Sequence, residues 1–288
     1  MRYTITFLLA SHLCSAAGAE VPKVVTDFGP VQSLVLQVMG DLGTPVVLLP
    51  KGGDPHDFQM KPSQATALAG ADLLFWDGPD LMPALASAVA AQDGHLKSIP
   101  LLHQGGGRLR QFEGGGVDPH AWLDPTNGVA WLGTIAAELA ALDPDNAATY
   151  AANAASAQSA LRDLDADLAA RLAPVKDKPF VVFHDAIGYF ADHYGLTVAG
   201  AIELGDASTP GAAQLVSIRD LLARSGAVCV FPETGRDPAY IATVSEGSTV
   251  RIGAGQDVEG LNLDQGPGQY AALLTGLAET LTECLSAD

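Results

Sequence analysis

Four short apolar runs, rich in β-branched and aromatic residues, recur along the chain: Pro45-Val46-Val47-Leu48-Leu49, Asp72-Leu73-Leu74-Phe75-Trp76, Phe180-Val181-Val182-Phe183 and Ala227-Val228-Cys229-Val230-Phe231. Each has the length of a strand, and longer stretches of helical period separate them. Alternation of this kind implies parallel sheets with both faces covered, so the fold class is α/β. With 288 residues the chain is long enough for two compact lobes rather than one core.

From Pro144 to Leu172 the sequence is rich in Ala, Leu, Asp and Arg and holds no Gly, and no Pro after its first residue. One helix is expected over that whole distance, with Asp143-Pro144 at its start and Pro174 as its stop. At 1.5 Å per residue it would reach roughly 40 Å, enough to lie along both lobes. The expected organisation is a leader at residues 1–19, a first α/β lobe at 20–143, a linking helix at 144–174 and a second α/β lobe at 175–288. Gln104 to Val117 contains two triple-glycine runs and no periodicity, and reads as a flexible loop. It has no Gly-Lys-Ser/Thr and no helix start directly after it, which argues against a phosphate cradle.

The first residues run through a short apolar stretch to Ala17-Gly18-Ala19, a small-residue cleavage pattern, so residues 1–19 read as a secretory signal peptide. Cys14 is not preceded by the small residues of a lipoprotein signal. The formal net charge is −18, and loss of Arg2 with the leader makes it more negative still. That balance repels nucleic acid and anionic lipid and favours a cationic ligand. No later stretch approaches the roughly 20 apolar residues of a membrane span. A soluble, exported product is expected. Without Cys14, Cys229 and Cys284 remain as an even pair in an oxidising space and are expected to join. Closing that loop would be worth roughly 4 kcal/mol by chain entropy. The alternative is two buried free thiols, which the mass of the unreduced protein would reveal.

Three of the seven histidines stand in distinctive settings. His56 and His120 each follow Asp-Pro, where proline fixes φ and restricts the residue before it, so both imidazoles are presented from stiff turns. His184 directly follows an apolar run, at the carboxyl end of an expected parallel strand, which is where open α/β sheets bind ligands. His95, His103 and His193 lack such a setting and read as structural or solvated. Rigidly presented imidazoles from distant segments suit a preformed metal site.

In their order, Gly53-Asp54-Pro55-His56, Asp118-Pro119-His120-Ala121-Trp122-Leu123-Asp124-Pro125 and Phe183-His184-Asp185-Ala186 resemble the extracytoplasmic solute-binding proteins of zinc and manganese ABC importers, the ZnuA-like group. The resemblance extends to Pro62-Ser63, Tyr189-Phe190 and Tyr194-Gly195-Leu196 and covers nearly the whole mature chain. It implies two Rossmann-like α/β lobes joined by one long rigid helix, with metal in the cleft between them. In that family a terminal Asp-Pro-Leu-Gly segment, followed by Gly-Pro and Tyr, provides the last carboxylate. The corresponding run here is Asp257-Val258-Glu259-Gly260, then Gly266-Pro267 and Tyr270, without the Pro-Leu. The implied ligand set is therefore His56, His120, His184 and Asp257, with Glu259 or a bound water as alternatives for the fourth position. The family's disulfide is similar to the Cys229 and Cys284 pair.

Three imidazoles and one carboxylate suit Zn²⁺, whereas Mn²⁺ would want more oxygen donors. Manganese-type members resemble this chain less, because a glutamate stands where His184 does. The implied partners are an importer permease and ATPase, acting on a monomer in the periplasm. Many zinc-importing relatives carry a long His-rich and acidic loop between the first two ligands, and the Gly-rich Gln104 to Val117 stands in its place here. That departure points to a separate periplasmic metallochaperone. Four protein ligands leave no open position for an activated water, so the site should hold metal rather than catalyse. The rivals are a zinc hydrolase with Asp257 or Glu233 as base, for which no His-Glu-x-x-His run speaks, and a periplasmic zinc buffer or adhesin on the same fold.

Overall fold

The computed structural model describes residues 20–92, 94–205 and 211–287; the expected leader, with Cys14, lies outside them. In chain order the first half runs β1 (Val24–Thr26), α1 (Gly29–Met39), β2 (Val46–Val47), α2 (Pro62–Ala69), β3 (Leu73–Trp76), α3 (Pro83–Ala90), β4 (Lys97–Pro100), α4 (Leu101–Gln104), β5 (Arg110–Gln111), β6 (Val117–Asp118) and α5 (Pro125–Leu142). Then come α6 (Ala147–Leu172), β7 (Phe180–His184), α7 (Gly188–Tyr194), β8 (Val198–Glu203), α8 (Ala212–Ser225), β9 (Cys229–Phe231), α9 (Ala239–Ser245), β10 (Arg251–Ile252) and α10 (Gln269–Ser286).

Two four-stranded sheets result, ordered β2-β1-β3-β4 and β10-β9-β7-β8, with every pairing in them parallel. The inner strands β1, β3, β7 and β9 are wholly buried, as their unbroken apolar runs demand. Pleating divides β7 between two cores. Phe180 and Val182 join Cys229, Phe231 and the leucines of α10, while Val181 and Phe183 face Ile202, Ile218, Leu222 and Ile241.

The first of those cores runs without interruption from β1 and α1 through α5, α6 and α10 to β7 and β9. The long helix α6 contributes Tyr150, Ala154, Ala157, Leu161, Leu168 and Leu172 to it, a stripe at three- and four-residue spacing. Its 26 residues span roughly 39 Å at 1.5 Å each. The helix begins one turn later than its composition suggested, because Pro144–Asn146 form a 3₁₀ turn first. The Asp143 carboxylate accepts from Asn146 Nδ2 at 2.7 Å and from the Tyr150 hydroxyl at 2.8 Å, which fixes that turn.

Helix α10 packs its leucines Leu273, Leu274, Leu277, Leu281 and Leu285 inward and lies against both α1 and α6. Burying each leucine contributes roughly 2 kcal/mol. A disulfide between Cys229 on β9 and Cys284 on α10 ties this helix to the second sheet, with the Cα atoms 6.4 Å apart. The Gly-rich segment differs from its expected course as an unstructured loop: β5 and β6 pair antiparallel, with Gly115 and Gly116 at φ 92° and 89° making the turn. Only glycine adopts two such angles in succession without strain. Among the described residues no helix is long and apolar enough to cross a membrane.

Candidate metal centre

The two Asp-Pro-His turns are built alike. Asp54 Oδ1 accepts the His56 N–H at 2.9 Å, and Asp118 Oδ1 accepts the His120 N–H at 3.0 Å. Proline supplies no N–H, so the aspartate closes on the residue after it, a side-chain turn that sets the backbone of the histidine. In the second turn Asp118 Oδ1 also takes the His120 Nδ1–H at 2.8 Å, which leaves Nε2 as the donor atom for a ligand. His184 is the last residue of β7 and is buried; its Nδ1 lies 3.6 Å from Glu233 Oε1.

The three rings converge. Their centroids lie 5.4 Å apart for His56 and His120, 5.3 Å for His56 and His184, and 4.8 Å for His120 and His184. Glu259 completes the group: one donor atom from each of His56, His120, His184 and Glu259 lies within 4.8 Å of all the others. Tetrahedral Zn²⁺ with bonds of about 2.1 Å holds its donors about 3.4 Å apart. Side-chain adjustments of about 1 Å therefore bring this set onto one ion.

The carboxylate that meets the imidazoles is thus Glu259, and Asp257 is elsewhere. Asp257 accepts the N–H groups of Leu261 at 2.6 Å and Asn262 at 2.9 Å, so its short side chain is spent on the turn that follows it. Between the two, Val258 is buried, and its carbonyl accepts from Trp122 Nε1 at 2.9 Å. Trp122 belongs to the same segment as His120, and its own carbonyl accepts the Tyr270 hydroxyl at 2.6 Å. Gly260, at φ 73°, turns the chain away directly after Glu259.

Burial shapes the electrostatics. It raises the Glu259 carboxyl above its usual range, an effect that His56 at 3.7 Å offsets in part. For His184 burial opposes the charged form, yet Glu233 and Glu259 outweigh it and lift the imidazole above 6.5. Burial raises Asp118 to about 6 against the hydrogen bonds from His120 and Arg110. Farther inside, at the carboxyl ends of β1 and β3, burial lifts Asp27 to about 7 and Asp77 well above its ordinary value.

The other three histidines among the described residues serve the scaffold. His95 Nε2 meets the Ala69 carbonyl at 3.0 Å, His103 Nε2 meets Asp80 at 2.6 Å, and His193 Nε2 meets Asp165 on α6 at 2.7 Å. Sequence reasoning named Glu233 only as the base of a rival hydrolase, not as the partner of His184. Its position just past the end of β9, the strand next to β7, is the feature that could have found it.

The model of the family of ZnuA, the periplasmic component A of zinc-uptake complexes, matches residues 24–284. The chain belongs to that family. A high-affinity zinc uptake system protein ZnuA of Paracoccus denitrificans is 47% identical, with 98% of each chain covered. One of Brucella suis is 32% identical, with 96% of each covered. Among solved structures, a zinc-bound ZnuA carrying a deletion of its residues 138–173 superposes with a TM-score of 0.79 at 27% identity, covering 93% of this chain and 99% of that one. The Mn²⁺ complex of the solute-binding protein FpvC from Pseudomonas aeruginosa has a TM-score of 0.81 over 92% of this chain and 99% of its own, at 23% identity, a likeness of fold. Members of the ZnuA family are periplasmic components of zinc-uptake systems.

Proposed function

We propose that this protein captures one Zn²⁺ between its lobes, on His56, His120, His184 and Glu259, and hands it to the permease and ATPase of an ABC importer. One observation carries the reading: three imidazoles and a buried carboxylate, drawn from four separate segments, offer donor atoms within 4.8 Å of one another. Three nitrogens and one oxygen form a borderline-soft set that favours Zn²⁺, with Mn²⁺ a weaker second. Four protein donors leave no coordination position for an activated water, so the site holds its cargo and performs no hydrolysis.

Residues 1–19 act as the export signal, the mature chain works as a monomer, and a separate periplasmic metallochaperone supplies the metal. Zinc-edge anomalous scattering from crystals of the zinc-loaded protein tests the centre directly. A single peak bonded to all four side chains is expected; a peak bonded to Asp257 in place of Glu259 would overturn the assignment. Loading of apo-protein no faster from any candidate donor than from free zinc would remove the metallochaperone.

A further inference from the structure

Each lobe carries one arginine that does two things at once. Arg110, on the hairpin of the first lobe, donates from Nη1 to Asp118 Oδ2 at 2.8 Å, and Asp118 in turn holds His120 Nδ1 at 2.8 Å. The same guanidinium donates from Nε to Asp192 Oδ2 at 3.2 Å, on α7 of the second lobe. Arg236, past β9 in the second lobe, donates from Nε to Glu233 Oε1 at 3.3 Å, and Glu233 lies 3.6 Å from His184 Nδ1. Its Nη1 reaches across to Asp54 Oδ2 at 3.5 Å, and Asp54 closes the turn of His56. The pattern is reciprocal. Each arginine grips the carboxylate behind a histidine of its own lobe and an aspartate of the other.

Local packing is built around the first bridge. A β-carbon at Gly188 would collide with the Arg110 guanidinium, so the glycine at the start of α7 makes room for it. The Arg110 N–H also donates to the Tyr189 hydroxyl at 2.7 Å, which ties the hairpin to α7 a second time. Both arginines are about four-fifths buried, with side-chain exposures of 21% and 20%. A planar fork that serves two carboxylates at fixed angles transmits position in a way that a point charge does not.

We propose that Arg110 and Arg236 are positioning residues that couple lobe closure to the orientation of His120 and His184, and so set how fast the metal leaves. The proposal rests on the zinc reading given above. While the lobes stay together, Arg110 fixes Asp118 and through its hydrogen bond the His120 ring, and Arg236 holds Glu233 within ion-pair distance of His184. A force that parts the lobes pulls on Asp192 and Asp54 and loosens both imidazoles together.

The test is Zn²⁺ release from the full mature chain into a chromophoric chelator by stopped flow, with Co²⁺ absorption spectra and apo-protein melting as companions. R110M and R236M are expected to release zinc on the order of 10- to 100-fold faster, the usual effect of losing a group that orients a ligand. Their Co²⁺ bands should shift while the apo melting curve moves little. R110K and R236K should recover only part of the lost retention, and full recovery would overturn the bridging role in favour of simple charge. D192N leaves Arg110, Asp118 and His120 joined and keeps the Tyr189 contact, but removes the charge that holds the Arg110 side chain to α7, so a several-fold faster release with an unchanged Co²⁺ spectrum is expected. Wild-type release from D192N would overturn the coupling. Arg108 also approaches Asp192, at 3.5 Å; R108M is expected to release at the wild-type rate, and a D192N-like rate would overturn the assignment to Arg110. Wild-type protein that retains no zinc would overturn the metal reading and this proposal together, whereas zinc-retaining wild type with unaltered variants would overturn this proposal alone.

Discussion

Glu259 meets the imidazoles and Asp257 does not, and the difference of one methylene is only part of the reason. The stretch from Asp257 to Gly260 is held by Trp122 at the Val258 carbonyl and by Asp257 on the two N–H groups beyond it. Glu259 is what remains to point inward. E259A is therefore expected to weaken zinc binding by at least about 100-fold in a competition titration, more than loss of a group that only orients a ligand. D257N, which keeps one acceptor for the turn, should cost less than about 10-fold; equal losses would contradict the assignment. Proton competition has a defined sign as well. An imidazole ligates only when neutral, and His184 titrates above 6.5 because Glu233 and Glu259 outweigh burial. Zinc affinity should thus begin to fall above that value as pH decreases and keep falling to about pH 5; a flat Kd between about pH 8 and 5 would remove histidine from the centre. Much of this site was legible: both Asp-Pro-His turns announce a stiff histidine, and the apolar run before His184 places it at a strand end. Glu259 was legible only as an alternative to Asp257 and Glu233 only as the base of a rival hydrolase, because what aims them is contact between segments, Trp122 with Val258 and β9 beside β7, that no local spacing encodes.

Among the elements, the most readable was α6, where a glycine-free, alanine-rich stretch leaves the backbone little alternative to helix. The strands β2, β3, β7 and β9 also followed from their apolar runs. β4, β8 and β10 did not, since Lys97-Ser98-Ile99-Pro100, the Ala199-Gly200-Ala201 of β8 and the two residues of β10 take their strand character from the neighbour they pair with. The segment from Gln104 to Val117 hid a hairpin because its stability comes from Arg110, Tyr189 and Asp118 rather than from strand-forming residues. Helix α10 depends on its tether. The disulfide closes a separation of 55 residues, worth about 4 kcal/mol on the loop-entropy model. For a domain of this size that corresponds to a Tm lower by roughly 10 °C in the C229A/C284A double variant. Calorimetry of that variant against the oxidised wild type measures it, and a change below about 2 °C would show that packing alone holds the helix.

At the level of the molecule, both halves repeat one strand order, and the carboxyl ends of inner strands carry the buried polar groups of each, Asp27 and Asp77 just past β1 and β3, His184 and Glu233 at or just past the ends of β7 and β9. Ligands of open α/β sheets gather at such ends. The halves are not independent, however, because one apolar core passes from β1 through α6 and α10 to β9. Close-packed interiors resist continuous deformation, so zinc should change the geometry of the centre far more than the outline of the protein. Small-angle scattering tests this: the radius of gyration, about 18 Å for a compact chain of this length, should alter by less than about 0.5 Å on loading. A contraction above about 1 Å would show that the lobes close by much more than the small shift needed to strain the two arginine bridges. The bond between Cys229 and Cys284 also places this architecture in time. A chain threaded amino end first through an export channel delivers Cys229 well before its mate, so an unprotected thiol waits on a half-built sheet. Where thiol oxidation is withheld, the share of molecules with α10 covalently held should fall, and electrophoresis of the unreduced protein would read that share directly.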